Sequence, residues 1–354
     1  MEYRTLGNSG LKVSRLVLGS MNIGSRKQFT QIGGLGLDEA RRLFDVALDA
    51  GVNMIDTANM YSYGQSEEII GQALRGKRDD VLIASKVRAR LADGPNDGGA
   101  SAYHIVREVE KSLRRLDTDH LDLLYLHQWD GQTPIEESLT ALERLVAAGK
   151  VRYLGISNFN GWQIMKTMYT ARLHHLGTPV VQQVYYTPEA RESEYEIIPA
   201  ALDQGLGTLV WGPLGEGLLS GKVRRGQDVA STTRQGTDWP EPHVVDRERA
   251  YDIIDLLAEI ADARQVSVPR LILAWELARP GITGLVISGR TEQQLLDNLS
   301  APDLRLTDEE TARINEATQL PAYYPYWHRI INAADRPDPA EAPFLDGYRQ
   351  RMRG

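Results

Sequence analysis

"VNMIDTANMYSYGQSEEIIG", residues 52–71, opens as an apolar run, breaks into polar and aromatic side chains, and resumes with helical spacing. An apolar run of this length predicts a strand buried on both faces, over Val52–Ile55. The pattern from Ser66 predicts a capped helix over Ser66–Arg75. Between them, a loop that only has to turn the chain carries Asp56, Asn59, Tyr61 and Tyr63. A carboxylate and two phenols are more than a turn requires, so the loop is a candidate for chemistry.

The same strand–loop–helix pattern repeats in both directions. Further β-branched apolar runs lie at Arg15–Leu18, Val81–Ser85, Leu121–Leu126, Val151–Ile156, Val180–Val184, Thr208–Trp211 and Thr283–Ile287. Helical patterns separate seven of the eight runs from the next, beginning with Asp38–Ala50, Ser66–Arg75 and Ala102–Leu116. The first shows its ends clearly, with Asp38 as the expected N-cap and Gly51 as the expected C-cap. Eight such units in a row predict an α/β fold of the (β/α)8 TIM barrel type over a single domain, 1–354. A doubly wound open sheet ranks second, because "RLVLGSMNIG" after the first strand lacks the G-x-G-x-x-G cradle. Three segments fall outside the repeat. Residues 3–14 predict a hairpin turning at Asn8–Gly10 that plugs the barrel bottom. Residues 222–264 form an insertion, with a Gly/Thr/Pro-rich loop at 226–243 and then a helix to Arg264. Residues 319–354, with "LPAYYPYWHR", predict a C-terminal tail folded over one face.

Composition removes whole classes of function. Among 354 residues there is no cysteine, which excludes disulfides, thiolate nucleophiles and Cys-ligated metal. A net charge of −8 without basic blocks argues against nucleic acid as a partner. No metal is expected: the pair His174–His175 are helix neighbours that point to different faces. The polar start "MEYRTLGNSG" and the lack of a long apolar run lead us to expect neither signal peptide nor membrane span, and a cytoplasmic protein.

Active sites of (β/α)8 barrels lie at the carboxyl ends of the strands. Strand two ends in Asp56, with Tyr61 on its loop; strand three, "VLIASK", ends in Lys86; strand four, "LDLLYLH", ends in His127. Strand five leads to Ser157 and Asn158, and strand six carries Gln182 and Gln183. Taken singly, each has a structural reading as a turn cap, a solvated lysine or a hydrogen-bonded histidine. Convergence favours chemistry: four proton-transfer groups end three adjacent strands at one mouth. A nearby ammonium lowers the pKa of a phenol, and Asp56 could hold Lys86 by ion pairing. Tyr61 would then be a general acid for a developing alkoxide, with His127 on the same oxygen.

At these residues the chain resembles the aldo-keto reductase superfamily. "NMIDTANMYSYGQSEEIIG" is similar to its first signature and "SLRRLDTDHLDLLYLH" to the stretch before its catalytic histidine. "VRYLGISNF", "WGPLGEGLLSGK" and "GRTEQQLLDNL" follow in order. The resemblance implies a catalytic tetrad of Asp56, Tyr61, Lys86 and His127, and NADPH/NADP+ lying across the barrel mouth. It implies that Ser157, Asn158 and Gln183 hold the nicotinamide, with Trp211 stacking on the ring, and that Ser20, Met21 and Asp56 also bind the cofactor. The pyrophosphate would be wrapped by 212–222, including Gly212, Pro213, Leu214 and Lys222. Around the adenosine the chain departs from the aldose reductase branch. It shows Ser288, Gly289, Arg290, Gln294, Asp297 and Asn298, as in bacterial reductases and potassium-channel β-subunits. The "GEGLLSGK" run is not a P-loop, since its glycine spacing is wrong and no Ser or Thr follows Lys222. Arg290, just before the predicted helix Thr291–Leu299, is placed to take a 2′-phosphate; its structural reading is a loop residue paired with Glu292.

The implied activity is reduction of an aldehyde, a ketone or a keto-sugar as small-molecule carbonyl substrate, with Tyr61 as proton donor. The alternative is a nucleotide-sensing subunit of a membrane complex on the same fold. The chain begins only a few residues before the hairpin, so a long channel-blocking arm is not expected. A Tyr-x-x-x-Lys pair, which a short-chain dehydrogenase needs, occurs nowhere. The pocket walls are expected from Met21, the 22–36 loop, Tyr61, Trp129, the 222–243 insertion and the "YYPYWH" tail. No exposed apolar stripe stands out.

Overall fold

Eight parallel strands close on one another by hydrogen bonding in the computed structural model, which describes residues 1–231 and 233–353. An antiparallel hairpin, β1 (Tyr3–Thr5) and β2 (Lys12–Ser14), precedes them. The barrel strands are β3 (Leu16–Gly19), β4 (Met54–Asp56), β5 (Leu82–Val87), β6 (Leu121–Leu126), β7 (Val151–Ser157), β8 (Val181–Tyr185), β9 (Gly207–Trp211) and β10 (Gly284–Ile287). Their order around the barrel is sequential, with β10 closing onto β3. This is the (β/α)8 barrel that the repeat predicted.

Alternation along each strand sorts side chains into two cores. Val17, Met54, Ala84, Leu123, Tyr125, Val181 and Leu209 fill the barrel interior, and Leu6 and Val13 of the hairpin join them as the bottom plug. Ile55, Ile83, Val87, Leu124 and Leu126 face outward into the layer shared with the helices. The two-residue period therefore places Asp56 above Met54, and Lys86 above Ala84, on the inner side. Gly155 pairs with Tyr125 across β6 and β7, and a Cβ there would lie 2.6 Å from the Tyr125 ring. Only glycine leaves room for that ring inside the barrel.

The first six barrel helices are α1 (Leu37–Asp49), α2 (Gln65–Ala73), α3 (Ala102–Leu116), α4 (Ile135–Ala147), α5 (Gly161–Leu173) and α6 (Ile197–Gln204). After β9 the insertion supplies α7 (Arg247–Ala263) before the barrel helix α8 (Val268–Leu277), and α9 (Glu292–Leu299) follows β10. Beyond it lie α10 (Asp308–Thr318), α11 (Tyr326–Asn332) and α12 (Ala342–Arg353).

Two helix starts differ from expectation. Gly36, not Asp38, is the N-cap of α1: the Glu39 carboxylate accepts from the Gly36 N–H at 3.1 Å. Asp38 lies in the first turn, where negative charge suits the helix dipole. Helix α2 starts at Gln65 with Gly64 (φ +89°) as N-cap, and Ser66 is spent elsewhere.

The tail packs over one flank. Tyr326 donates to the Tyr195 carbonyl at 2.7 Å, and Tyr348 stacks on Tyr195 at 5.6 Å. One expectation about the surface is corrected. Trp162, Met165, Tyr169 and Leu173 are all exposed at helical spacing on α5, forming an apolar stripe that alternating polar residues mask in the sequence. No helix among the described residues is long and apolar enough to cross a membrane.

Candidate active site

The inward positions of neighbouring strands meet at the carboxyl end of the barrel. Asp56, the last residue of β4, pairs with Ala84 of β5, so Lys86 stands one inward step beyond it. The Lys86 ammonium donates to the Asp56 carboxylate and, at 2.8 Å, to the Thr57 carbonyl. It lies 3.3 Å from the Tyr61 hydroxyl and 5.0 Å from the centre of that ring. The second Asp56 oxygen accepts from Gln183 Nε2 at 2.8 Å. His127 directly follows β6, anchored by its N–H on the Val87 carbonyl at 3.0 Å. Its ring stands edge-on to Tyr61, with centroids 6.1 Å apart. All four strand-end residues come together.

The loop that carries Tyr61 is tightly bent. Ser62 (φ +47°), Tyr63 (φ +53°) and Gly64 (φ +89°) turn left-handed in succession. Gly64 suits the turn for a second reason, since a Cβ would lie 2.7 Å from Arg115. Ser66 is fully buried and donates toward Ser20, 3.0 Å from its carbonyl and 3.1 Å from its hydroxyl, instead of capping α2. Tyr63 lies beneath the Lys27 ammonium, 3.8 Å from its ring centre, and meets Phe29 edge-on at 6.4 Å. One phenol serves the site and the other serves its wall.

Burial and charge act in opposite senses here. Burial raises the Tyr61 pKa, and the nearby Lys86 pulls it down without reversing the direction. The expected lowering is therefore corrected: desolvation of a phenol penalises the phenolate more than one paired ammonium stabilises it. Burial also opposes the Lys86 charge, but Asp56 and Tyr61 more than offset it, and its pKa rises. Burial, then the charges of Lys86 and Arg88, holds His127 well below the ordinary histidine value. At neutral pH the site thus contains a protonated phenol, an ammonium closed by a carboxylate and a neutral imidazole.

From Asp56 and Tyr61 a cavity of about 450 Å³ runs to α9. It is lined by Ser20, Met21, Trp211, Gly212, Pro213, Leu214, Lys222, Ser288, Gly289, Arg290, Gln294, Asp297 and Asn298. Ser157, Asn158 and Gln183 adjoin its inner end. Asn158 donates to the His127 carbonyl at 3.1 Å and accepts from Trp211 Nε1 at 2.9 Å, which fixes the indole. The Ser157 hydroxyl is buried with no partner among the described residues. At the far end Thr291 caps α9 (3.3 Å to the Gln294 N–H), Gln294 accepts from the Arg290 N–H at 2.9 Å, and Asn298 donates to the Ser288 carbonyl at 2.9 Å. Asp297 is held by Ser267.

Ser267 and Pro269, at the start of α8, line the cavity as well and were not singled out in the sequence, whereas Asn22, Glu216, Ser220 and Arg234 fall in the segments expected to wall it. Arg234 and Glu216 form an ion pair between residues 18 apart across the cleft. Burial first, and then Arg290, lower the Arg234 pKa to about 10, so it remains charged at neutral pH. Lys222, Arg234 and Arg290 give the cleft a cationic lining that fits a phosphorylated dinucleotide, and the unpartnered Ser157 hydroxyl fits a polar ring amide at the inner end. Two expected walls are corrected. Trp129 packs against Phe159 (5.3 Å) and Trp162 (5.4 Å), away from the lining. The "YYPYWH" tail is drawn to Tyr195, leaving Tyr323 and Tyr324 in solvent. Instead Trp239 of the insertion meets Phe29 at 6.1 Å, and Phe29 meets Tyr61 at 6.3 Å. His174 and His175 are both exposed.

Comparison with known proteins agrees with this geometry. Residues 15–319 match the model of the aldo/keto reductase family. The chain is 39% identical over 330 residues to the oxidoreductase YrpG of Bacillus subtilis, covering 89% of this chain and 95% of that one. It is 34% identical to a probable voltage-gated potassium channel subunit beta of Arabidopsis thaliana, over 86% of this chain and 92% of the other. Against the versiconal hemiacetal acetate reductase of Aspergillus parasiticus the identity is 34%, over 95% and 100%.

Proposed function

The chain belongs to the aldo/keto reductase family of oxidoreductases, and we propose that it reduces an aldehyde, a ketone or a keto-sugar with NADPH, Tyr61 being the proton donor. The observation that carries this reading is the Tyr61 hydroxyl, 3.3 Å from a Lys86 ammonium whose charge Asp56 closes, beside a neutral His127. Ser157, Asn158, Gln183 and Trp211 would hold the nicotinamide, and 212–222 with Arg290, Gln294, Asp297 and Asn298 the rest of the dinucleotide. When bound, that cofactor supplies the hydride to the carbonyl carbon.

The chain's own residues manage the oxygen. Tyr61 is protonated at neutral pH, as an ordinary phenol is and as burial reinforces, and so has a proton to give when charge develops on the carbonyl oxygen. Lys86 then stabilises the phenolate left behind, at a cost already met by its pairing with Asp56. His127, neutral, orients the same oxygen without adding a competing charge. Phe29 beside Tyr61, with Tyr63 and Trp239 packed on Phe29, makes an aromatic wall suited to a flat aldehyde or ketone, and equally to the stacking face of a keto-sugar.

Tyr61→Phe is the test. It should reduce kcat by about 10²–10⁴-fold, as loss of a general acid does, while NADPH affinity stays close to wild type. A variant retaining more than a tenth of wild-type kcat on a good substrate would remove Tyr61 from the role. A second reading, a nucleotide-sensing subunit of a membrane complex, draws on the likeness to the plant channel subunits. Steady-state NADPH oxidation across a panel of aldehydes and keto-sugars separates them: turnover supports the reductase, and tight NADPH binding without turnover supports the sensor.

A further inference from the structure

Strand β5 leaves the barrel two residues beyond Lys86, at Arg88. Ala84 lies in the barrel interior and Lys86 reaches Asp56, so Arg88 opens the next layer, at the mouth. Here the chain turns with φ +138°, a conformation that side chains rarely adopt. The turn lets the Val87 carbonyl accept from the His127 N–H at 3.0 Å and the Arg88 carbonyl accept from the Gly99 N–H at 2.9 Å. Glycine would make the same turn without strain, yet the residue is an arginine. Backbone strain of this kind clusters at active sites and ligand clamps.

The Arg88 side chain is half-buried, and its Nε is shut off from solvent with no hydrogen-bond partner among the described residues. None of the ion pairs among the described residues involves it. Arg78, Arg115 and Arg264, also partly buried, each have a carboxylate within 2.7–2.9 Å. Asp130 is close enough to feel the Arg88 charge, but its oxygens are taken by the Ala100 N–H (2.7 Å), the Thr133 hydroxyl (2.7 Å) and the Gln132 N–H (3.0 Å). Lys86 next door is closed by Asp56, which leaves Arg88, near His127, a cation with no ion pair among the described residues.

We propose that Arg88 binds a carboxylate carried by the carbonyl substrate, so that the preferred substrate class is an aldehyde or ketone that is also an acid. This rests on the reductase reading. A guanidinium takes a carboxylate through two parallel N–H bonds, a geometry that lysine cannot reproduce. Because Arg88 makes no ion pair among the described residues, the incoming anion meets a donor that is already partly desolvated and has no partner to give up. The anchor would orient the carbonyl toward Tyr61 from the β5 side of the mouth.

The experiment compares 4-formylbenzoate with 4-nitrobenzaldehyde, which has a similar outline without the charge. We expect wild type to favour the carboxylate, and the ratio of kcat/KM for the two to fall about tenfold in Arg88→Gln, mainly through KM. Arg88→Gly, which suits φ +138°, should show the same fall and guards against misfolding as its cause. Calorimetric titration of both compounds into NADP+-loaded protein reads binding apart from turnover. An unchanged ratio in both variants, or wild type binding 4-formylbenzoate no more tightly than 4-nitrobenzaldehyde, overturns the assignment. Turnover of neither aldehyde would overturn the reductase reading, and the titration would still decide Arg88.

Discussion

Replacing Lys86 by methionine removes a charge while nearly keeping the shape of the side chain. Lys86 is 1% exposed and Asp56 2%, so their charges are screened by protein and not by water. Breaking a buried pair from one side leaves an uncompensated ion and costs about 3–5 kcal/mol. Asp56 keeps only its bond from Gln183. At about 2.1 cal/mol/K per residue over 354 residues, 1 kcal/mol moves Tm by about 1.3 °C, so the variant should melt about 4–7 °C lower. Asp56→Asn alone should be destabilising for the mirrored reason. The double variant Asp56→Asn/Lys86→Met, with neither charge, should lose clearly less than the sum of the two. Turnover should be abolished in the two variants that lack Lys86, because Tyr61 loses the cation that opposes its burial. Any residual alcohol oxidation in Lys86→Met should begin at higher pH than in wild type. Differential scanning calorimetry and NADPH-coupled rates across pH supply the measurements. Strictly additive losses of stability, or a Lys86→Met enzyme that binds NADPH weakly yet turns over normally at saturation, would refute the reasoning.

Two other substitutions probe the cofactor cleft and the fold. Arg290→Ala should weaken NADPH binding roughly tenfold to a hundredfold, the worth of about 1.5–3 kcal/mol for a charge-assisted bond, and leave NADH nearly unaffected; quenching of Trp211 fluorescence reads both, and equal losses would dismiss Arg290 as the 2′-phosphate ligand. Glu276 on α8 is fully buried, neither of its carboxylate oxygens has a partner among the described residues, and burial raises its pKa well above 4.5. The folded state keeps a proton that the unfolded chain releases, so stability falls as pH rises above about 4.5, by about 1.4 kcal/mol per pH unit until the folded value is passed. Glu276→Gln should therefore raise Tm more at pH 8 than at pH 5, and an equal change at both would contradict this account.

The positions of the candidate site were legible because they depend on local pattern. Strand direction and a two-residue period place Asp56, Lys86 and His127 at one end of the barrel, and the broken periodicity after Ile55 exposes Tyr61 as a residue no turn needs. Thr291, predicted as a helix cap, caps α9 because a hydroxyl at that position satisfies the Gln294 N–H three residues on. Such features require only neighbours in sequence, and the order of the strands followed from repetition.

What the tertiary structure alone decided is how residues far apart in sequence share or lose solvent. Ser66 looked like a helix-start residue until the chain brought Ser20 within 3.0 Å of its hydroxyl. The Lys86–Tyr61 pairing suggested a lowered phenol pKa, yet the direction is upward, since desolvation depends on everything packed around the ring. Glu276 reads as an ordinary helical glutamate, and its isolation exists only once α8 is seated. The tail aromatics seemed fit to wall the pocket, but Tyr195 offers Tyr326 a hydrogen bond and Tyr348 a stacking face on the flank instead. Arg88 is set apart from Arg78, Arg115 and Arg264 by a backbone angle and by having no ion pair among the described residues. Periodicity is a property of the chain, whereas burial and pairing are properties of the assembled volume, which no local stretch of residues encodes by itself.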